Sequence, residues 1–298
     1  MKMGAVHSNT HHEKRKQELR AEIGQFLERC FLRKPDAEPV RVARHIVKAG
    51  GHRWRGLLGI GVGQIFTPEN VVELCLPGAA SVELAHAASM LLDDLPSMDN
   101  ASVRRGLPCA HLVFPRWAVD LAPAFMVSMA YEVALSETPA SPERRIQSAI
   151  ASAEAAELMM LGQQDDLCLL SQPCDEKSVM DCYYRKSGSL YGCAAKTGAI
   201  VSGGSEEDIE RCYRMGMDLG VSYQIMDDVA DIEAGAEEMG KNPGMDSGKH
   251  TAPILLGVEV AKSRARELQE RAMGKLACYG EEADFLRYLV GHLTWANV

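Results

Sequence analysis

The chain has 298 residues, of which 46% are hydrophobic and 24% charged, and its formal net charge is −9 at pH 7. This length is enough to bury a large core in one domain or in two smaller ones. The acidic balance and the aromatic content of 6% argue against a nucleic-acid-binding protein, which would carry basic stripes with stacking aromatic rings. The charge pattern favours instead a small anionic ligand held through a metal ion and local basic residues.

Nine cysteines are scattered along the chain without a Cys-x-x-Cys pair. This spacing is typical of reduced, mostly buried thiols and not of a disulfide framework or a zinc site. No apolar run approaches the length of a membrane span. Residues 1–20 are polar and basic and lack the apolar core of a secretory signal, and an organelle-targeting peptide removed before maturation stays an open alternative.

Helical periodicity dominates the chain from its N-terminus onwards. Residues 13–30 carry apolar side chains at helical spacing, and the pattern resumes over 41–48 after two prolines. Residues 57–66 and 82–92 are apolar and rich in glycine and alanine, which is typical of closely packed core helices. The helices predicted further along cover residues 115–131, 146–160, 177–196, 258–276 and 281–293, together with a helix that follows an N-cap at Ser205.

Strand signals are almost absent, because few segments alternate apolar and polar residues over four or more positions. The chain shows no repeat of fixed period and no low-complexity linker. We therefore predict an all-α fold, a single-domain helical bundle over residues 16–298 whose helices line a central cavity. Residues 1–15 are predicted to be a flexible N-terminus.

Acidic side chains gather where the second of the two core helices ends, in the sequence DDLPSMD. Asp93 and Asp94 are adjacent, and Asp99 follows a turn at a proline, which cannot continue a helix interior. Carboxylates this close repel unless a cation lies between them, and Mg²⁺ is held by one or two carboxylates plus phosphate oxygens. Arg104 and Arg105, just beyond, suit bidentate binding of phosphate. An acidic helix end followed by a solvated loop is the alternative.

A second acidic cluster lies in YQIMDDVAD, residues 223–231. If this segment is helical, Gln224, Asp227, Asp228 and Asp231 recur at three- and four-residue spacing and share one face. Carboxylates on an otherwise apolar helix are costly to bury unless they are paired or bind a metal. Two such clusters, far apart in sequence, predict a shared metal site that faces one cavity.

Basic groups follow a glycine pair in the sequence GGHRWRG. His52, Arg53 and Arg55 form a candidate anion site near a helix start, with a surface loop as the alternative. His86 precedes Asp93 by two helical turns, so it is either a core residue with a satisfied hydrogen bond or a ligand contact. Further candidates lie on predicted helices or in the Gly-, Lys- and Pro-rich loop over 241–253. They are Gln163, Asp166, Lys186, Ser187, Lys241 and Lys249.

These motifs resemble those of the type I (trans) isoprenyl diphosphate synthases, and specifically the plant plastid geranylgeranyl diphosphate synthase group, over roughly residues 40–290. DDLPSMD resembles the first aspartate-rich motif of the family, with its plant-type four-residue spacer, and RRG resembles the arginine pair that follows it. DDVAD resembles the second motif, preceded by YQ where the family commonly has FQ. The resemblance implies the isoprenoid synthase helical bundle and a chloroplast location.

The resemblance also implies a chemistry. An allylic diphosphate binds Mg²⁺ ions between the two clusters, its C–O bond ionises as charge moves onto the leaving diphosphate, and isopentenyl diphosphate attacks from a basic site beside it. The implied metal ligands are Asp93, Asp94, Asp99, Asp227, Asp228 and Asp231. All of them except Asp231 are also the implied catalytic residues. The allylic diphosphate would contact Arg104, Lys186, Gln224 and Lys241, and isopentenyl diphosphate would contact His52, Arg55, His86 and Arg105. Gln163, Ser187 and Lys249 complete the substrate-binding set.

Several positions depart from the family pattern. The motif GGKRxRP reads GGHRWRG here, so His52, whose imidazole is largely neutral at pH 7, stands where an isopentenyl-binding lysine is usual. Residues 101–102 replace an Asp pair, residues 122–123 replace a Gly-Asp motif, and Met245 lies where a lysine is usual. Ala88 and Ser89, just upstream of the first motif, are small and imply room for a C20 product. We expect weak or no activity from the isolated chain.

This mixture of features resembles the type II small subunits, or recruiting proteins, of plant heterodimeric geranylgeranyl and geranyl diphosphate synthases. It implies a heterodimer with a catalytic geranylgeranyl diphosphate synthase subunit. Those proteins typically carry two CxxxC motifs, of which only Cys193 matches here, with Thr197 in place of the second cysteine. The alternatives are an independently active geranylgeranyl diphosphate synthase, a non-catalytic regulatory partner and, disfavoured by the RRG and GQ motifs, a class I terpene cyclase.

Overall fold

The computed structural model describes residues 2–169, 172–233 and 249–293, and within these ranges the chain is almost entirely helical. In chain order the helices are α1 (Lys2–Leu32), α2 (Glu38–Lys48), α3 (Trp54–Phe66), α4 (Val71–Asp93), α5 (Ala110–Val113), α6 (Arg116–Ser136), α7 (Pro142–Leu169), α8 (Glu176–Tyr183), α9 (Ser189–Ser202), α10 (Glu206–Glu233), α11 (Ala252–Leu256), α12 (Val258–Gly274) and α13 (Asp284–Leu293). A two-stranded antiparallel hairpin, β1 (Val103–Arg104) with β2 (Leu107–Pro108), follows α4. The all-α prediction is confirmed.

Each predicted helix corresponds to an observed one, but α1 and α4 begin eleven residues before the predicted starts at 13 and 82, and α7 ends nine residues after the predicted end at 160. The helix expected over 177–196 is divided into α8 and α9 by one π-helical turn, Tyr184–Gly188. The last predicted helix begins with a 3₁₀ turn, Glu281–Ala283. The predicted N-cap is confirmed, because the Ser205 hydroxyl oxygen accepts a hydrogen bond from the backbone N–H of Asp208 at 3.2 Å.

Helix α9 lies at the centre of the bundle and packs against α3, α4, α7 and α10. The α3–α9 contact is close because of glycine: a Cβ atom at Gly198 would overlap the backbone carbonyl of Gly59. Cys193, also on α9, is 1% exposed, and its Sγ lies 3.8 Å from the Ser152 hydroxyl. The cysteine that matches a partner-binding motif is therefore inside the bundle and not on its surface.

Helix α1 joins the bundle through one apolar face. Leu19, Ile23 and Leu27 are fully buried, and burial of each such side chain contributes about 1.5–3 kcal/mol. The Tyr288 hydroxyl of α13 donates a hydrogen bond to the carboxylate of Glu13. The boundary that the sequence analysis sets at residue 15 falls inside α1, so the structure has no break between elements at that position.

Two of the described helices, α4 and α6, are long and apolar enough to cross a membrane by length and composition alone. The sequence analysis predicted no membrane span, and two such helices are weak evidence for one. Their most apolar stretches are 67% and 50% buried inside the bundle, respectively, so both helices contribute side chains to the protein core.

Candidate active site

A cavity of about 850 Å³ opens among the central helices. Its walls come mainly from α4, the loop after α4, α7, the π-helical turn and α10. Most of the side chains that the sequence analysis proposed for the site line it, namely His52, Arg55, His86, Asp93, Asp99, Arg104, Arg105, Gln163, Lys186, Ser187, Gln224, Asp227, Asp228, Asp231 and Lys249. Asp94 does not line the cavity, and Lys241 and Met245 lie outside the described residues.

The loop after α4 folds back on the helix end and brings Asp99 into the cavity. The backbone carbonyl of Asp93 accepts a hydrogen bond from the N–H of Asp99 at 2.9 Å, and the carbonyl of Leu95 accepts bonds from the N–H groups of Met98 and Asn100 at 2.9 and 3.0 Å. These bonds close a tight turn around the proline. The first and last aspartates of DDLPSMD thereby line the cavity together.

Asp94, which the sequence analysis grouped with Asp93 and Asp99, lies apart from them in the structure. Its side chain is 1% exposed, and its Oδ1 accepts hydrogen bonds from Nε and Nη2 of Arg104 at 2.9 and 2.5 Å. The reason is geometric, because consecutive residues at a helical turn point about 100° apart. Here Asp93 lines the cavity, while Asp94 lies outside its lining and pairs with Arg104.

The electrostatic environment of Asp93 is unusual for a carboxylate. Burial raises the pKa of Asp93 to about 6, and Asp99 and Asp166 add to the rise while Lys186 and Arg104 oppose it. In the absence of a metal ion, part of the Asp93 population is therefore protonated in mildly acidic solution. A divalent cation between the carboxylates would favour the ionised form.

On α10, the second cluster divides into anchored and cavity-facing carboxylates. Asp228 is 4% exposed, accepts a hydrogen bond from Gln224 Nε2 at 2.7 Å and another from the Tyr183 hydroxyl. The Tyr183 oxygen in turn accepts the N–H of Ala252 at 2.9 Å. Asp228 lines the cavity but is held by α8 and the start of α11. Asp227 and Asp231, one turn apart, are the two remaining carboxylates of this wall.

Two lysines cross the cavity between these walls. Lys186 Nζ lies 2.8 Å from Asp166, and Lys249 Nζ lies 3.1 Å from Asp166 and 3.4 Å from Asp99. Burial alone would raise the pKa of Asp166, but the two ammonium groups outweigh it and lower that pKa. Burial alone would lower the pKa of Lys186, but Asp166 and Asp93 outweigh it and raise that pKa, so Lys186 stays a cation among the carboxylates of the cavity.

The opposite end of the cavity is cationic, and we call His52, Arg55, His86 and Arg105 the basic end. Arg105, at a φ of 52°, donates from Nη1 to the carbonyl of Gly50, and the guanidinium carbon of Arg55 lies 4.3 Å from the ring centroid of Tyr191. Burial followed by the nearby arginines keeps the pKa of His86 well below its usual value. Burial and then Arg20 and Arg105 lower the pKa of His52, so both imidazoles are neutral at pH 7.

The structure adds residues to the site that the sequence analysis did not select. Tyr183 anchors Asp228, Arg20 donates from Nε to the carbonyl of Gly51 at 3.0 Å, and Tyr223 lines the cavity one helical turn before Asp227. The sequence shows that Tyr223 lies one helical turn before Asp227. It does not show the contact of Arg20, because Arg20 lies thirty-one positions before Gly51 and on another helix.

Comparison with known proteins agrees with this arrangement. The polyprenyl synthetase family model matches residues 38–288, so the chain belongs to the polyprenyl synthetase family. It is 34% identical to geranylgeranyl pyrophosphate synthase 10, mitochondrial, of Arabidopsis thaliana, over 81% of this chain and 72% of that protein. It is 33% identical to geranylgeranyl pyrophosphate synthase 12, chloroplastic, of the same organism, over 81% of this chain and 70% of that protein.

Among solved structures, a geranyltransferase from Helicobacter pylori, complexed with magnesium and isoprenyl diphosphate, has the same fold. The TM-score is 0.85 at 22% identity, over 95% of this chain and 97% of that one. Family membership and fold together identify the chain as a prenyltransferase of the polyprenyl synthase class. The family part of the sequence-based prediction is confirmed, and the comparisons give no support for the small-subunit type.

Proposed function

We propose that this chain is a Mg²⁺-dependent prenyltransferase that joins isopentenyl diphosphate to an allylic diphosphate and makes a C20 product on its own. One observation carries the proposal: a single cavity holds two carboxylate walls, Asp93 with Asp99 and Asp227 with Asp231, and a separate basic end. A site with one wall and no basic end would suit hydrolysis or simple metal binding. Two anionic substrates and a metal between them require all three parts.

The donor set fits Mg²⁺. The cavity-facing ligands are all carboxylate oxygens, which hard divalent cations prefer. In the part of the chain that the structure describes, no group of three or more His, Cys, Asp or Glu side chains could hold a metal ion by itself. This suits an ion that one or two carboxylates hold and that substrate diphosphate oxygens complete. When bound, Mg²⁺ supplies a Lewis acid that stabilises the charge developing on the leaving diphosphate.

The side chains of the cavity perform the remaining tasks. Lys186 and Lys249 bind the leaving diphosphate of the allylic substrate by exchanging part of their contact with Asp166 for phosphate oxygens. Arg55 and Arg105 hold isopentenyl diphosphate at the basic end, which orients its double bond towards the allylic carbon. The apolar part of the lining, which excludes water from the reacting carbon atoms, includes Met90, Leu92, Met159, Met160 and Leu190.

The start of this apolar lining supports a long product. Ser89 lines the cavity one turn before Asp93, and its hydroxyl donates to the carbonyl of His86 at 2.9 Å, within its own helix. The neighbouring Ala88 is buried. Neither side chain is large enough to close the space along α4, so a growing chain can extend past it. We expect an organelle location, in a plastid, because the relatives named above are chloroplastic or mitochondrial.

The test is a Mg²⁺-dependent assay of the purified chain with isopentenyl diphosphate and an allylic co-substrate. We expect a C20 diphosphate and a loss of about 10²–10³-fold in Asp93→Ala and in Asp227→Ala, each of which removes a charge from one wall. Asp181→Ala is the matched control, because Asp181 is on the surface of α8 and pairs with Lys177. No product from the wild-type chain, or equal loss in the control, would contradict the proposal.

A second candidate function is that of a modifying subunit in a heteromer with another prenyltransferase chain. Two observations favour it: the neutral imidazole of His52 at the basic end, and two exposed apolar pairs, one on α6 and one on α7. The exposed fractions of Trp117, Leu121, Ile146 and Ile150 are 56%, 54%, 54% and 53%, and the members of each pair are one helical turn apart. Exposed pairs of large apolar side chains are candidate contact points for a partner chain.

The two candidates are distinguished by mixing the chain with a plastid geranylgeranyl diphosphate synthase. A subunit would be silent alone, would change the rate or product of the mixture, and would co-elute with the synthase in size-exclusion chromatography. Leu121→Glu should abolish co-elution. An independent enzyme would be active alone and would leave the synthase unchanged.

A further inference from the structure

Tyr223 stands where the second carboxylate wall meets the basic end. It lines the cavity, and it precedes Asp227 by one turn on the same face of α10. Its ring centroid lies 5.8 Å from that of Tyr191. The Tyr191 ring also contacts Arg55, whose guanidinium carbon lies 4.3 Å from the Tyr191 ring centroid. The phenol of Tyr223 therefore belongs to the same local assembly as a substrate-binding arginine.

The hydroxyl of Tyr223 is a donor that the fold does not use. Among the described residues it makes no hydrogen bond, whereas Tyr183, the other phenol of the cavity, is bonded to Asp228 and Ala252. Burial raises the pKa of Tyr223, and Asp227 adds to the rise while Arg55 and Arg105 oppose it. The phenol is therefore protonated at neutral pH and able to donate a hydrogen bond to an anion.

We propose that Tyr223 is a substrate-binding residue whose hydroxyl donates a hydrogen bond to the diphosphate of isopentenyl diphosphate held by Arg55 and Arg105. This inference rests on the proposed function. It assigns the donor to the isopentenyl substrate because the assembly around Tyr223 includes Arg55, while the lysines that would meet the allylic diphosphate contact Asp166 and Asp99 elsewhere in the cavity. Because the two imidazoles of the basic end carry no charge, the Tyr223 hydroxyl adds a hydrogen-bond donor to those that hold the diphosphate there.

The test is Tyr223→Phe, which removes one oxygen atom and keeps the ring that packs against Tyr191. A hydrogen bond to a charged group contributes about 1.5 kcal/mol, so we expect the KM for isopentenyl diphosphate to rise about tenfold. The KM for the allylic substrate and kcat at saturation should stay unchanged. Isothermal titration of isopentenyl diphosphate, with Mg²⁺ present, should show a matching tenfold rise in Kd.

Tyr213→Phe is the matched control, because Tyr213 lies on the same helix, stacks with Lys196 at 5.4 Å and does not line the cavity. Equal Kd values for isopentenyl diphosphate in the wild type and in Tyr223→Phe would overturn the inference, as would a rise confined to the allylic KM.

Titration of the wild type with isopentenyl diphosphate distinguishes failure of this inference from failure of the proposed function. A wild type that binds isopentenyl diphosphate without turning it over contradicts only the proposed function, and one that does not bind it contradicts both.

Discussion

Adjacent aspartates take opposite roles in this site. Asp93 lines the cavity next to Lys186, and Asp94 turns into the protein and pairs with Arg104. The buried carboxylate of Asp94 thereby fixes the guanidinium of Arg104 at the edge of the cavity. On α10 the adjacent pair differs from this, because Asp227 and Asp228 both line the cavity and Asp228 is in addition held by Tyr183.

The raised pKa of Asp93 makes a prediction about stability in the metal-free chain. Because the folded state raises this pKa to about 6 from 3.8, the folded state binds the proton more tightly than the unfolded state does. The contribution of Asp93 to stability is therefore fully present below about pH 4 and is lost as the pH rises through 6. Asp93→Asn, a neutral mimic, should be more stable than the wild type by about 3 kcal/mol at pH 7.

This difference is measured by urea unfolding in EDTA at pH 7 and at pH 4. We expect it to shrink towards zero at pH 4, where the wild-type carboxyl is protonated in the folded chain. Asp181→Asn, on the surface of α8, should show no comparable change between the two values of pH. A difference that is the same at both values of pH would show that burial of the charge is not the cause.

His52 offers a test of the basic end. Because its imidazole is neutral, His52→Lys should add a charged donor and lower the KM for isopentenyl diphosphate about tenfold in the isolated chain. His52→Gln, which keeps a neutral side chain, is the matched control and should give no gain. Steady-state kinetics with the allylic substrate at saturation measures both. Equal KM values in the two variants would mean that charge at this position does not limit binding.

At the scale of elements, one glycine allows α7 to approach the π-helical turn. A Cβ atom at Gly162 would collide with the backbone of Arg185 and Lys186. The close approach sets Lys186 beside Asp166, four residues further along α7. The π-helical turn therefore places the ammonium group of Lys186 next to the carboxylate of Asp166 on α7.

Gly162→Ala should separate these two elements. We expect a loss of about 2 kcal/mol in the free energy of unfolding from overpacking, together with a higher KM for the allylic diphosphate as Lys186 shifts. Gly24→Ala on α1 is the control, because its added Cβ meets nothing within 4 Å. That variant should gain up to about 1 kcal/mol from helix propensity and keep its kinetics. Unchanged allylic KM in Gly162→Ala would contradict the positional role of the turn.

At the scale of the whole molecule, the two carboxylate walls come from elements far apart in sequence, and the proposed coordination of Mg²⁺ by one or two carboxylates is completed by diphosphate oxygens. We therefore expect Mg²⁺ alone to raise Tm by less than about 1 °C, and Mg²⁺ with inorganic diphosphate to raise it by about 5 °C. Thermal unfolding with each addition singly and together measures this. A full shift with Mg²⁺ alone would mean that the protein completes the metal site without substrate.

The sequence by itself determined the helices and the residue types of the site. Apolar periodicity located α1, α4 and α10, and the motifs with the family resemblance predicted the cavity and its charged lining. Such patterns are local, since the period of a helix states which side chains share a face.

The tertiary structure alone decided which of those side chains face each other. It turned Asp94 towards Arg104 and tied Asp228 to Tyr183, and it placed Tyr223 within the assembly around Arg55. The period of one helix does not state which neighbour meets its face. That depends on packing between helices far apart in sequence, such as the approach that Gly162 and Gly198 permit.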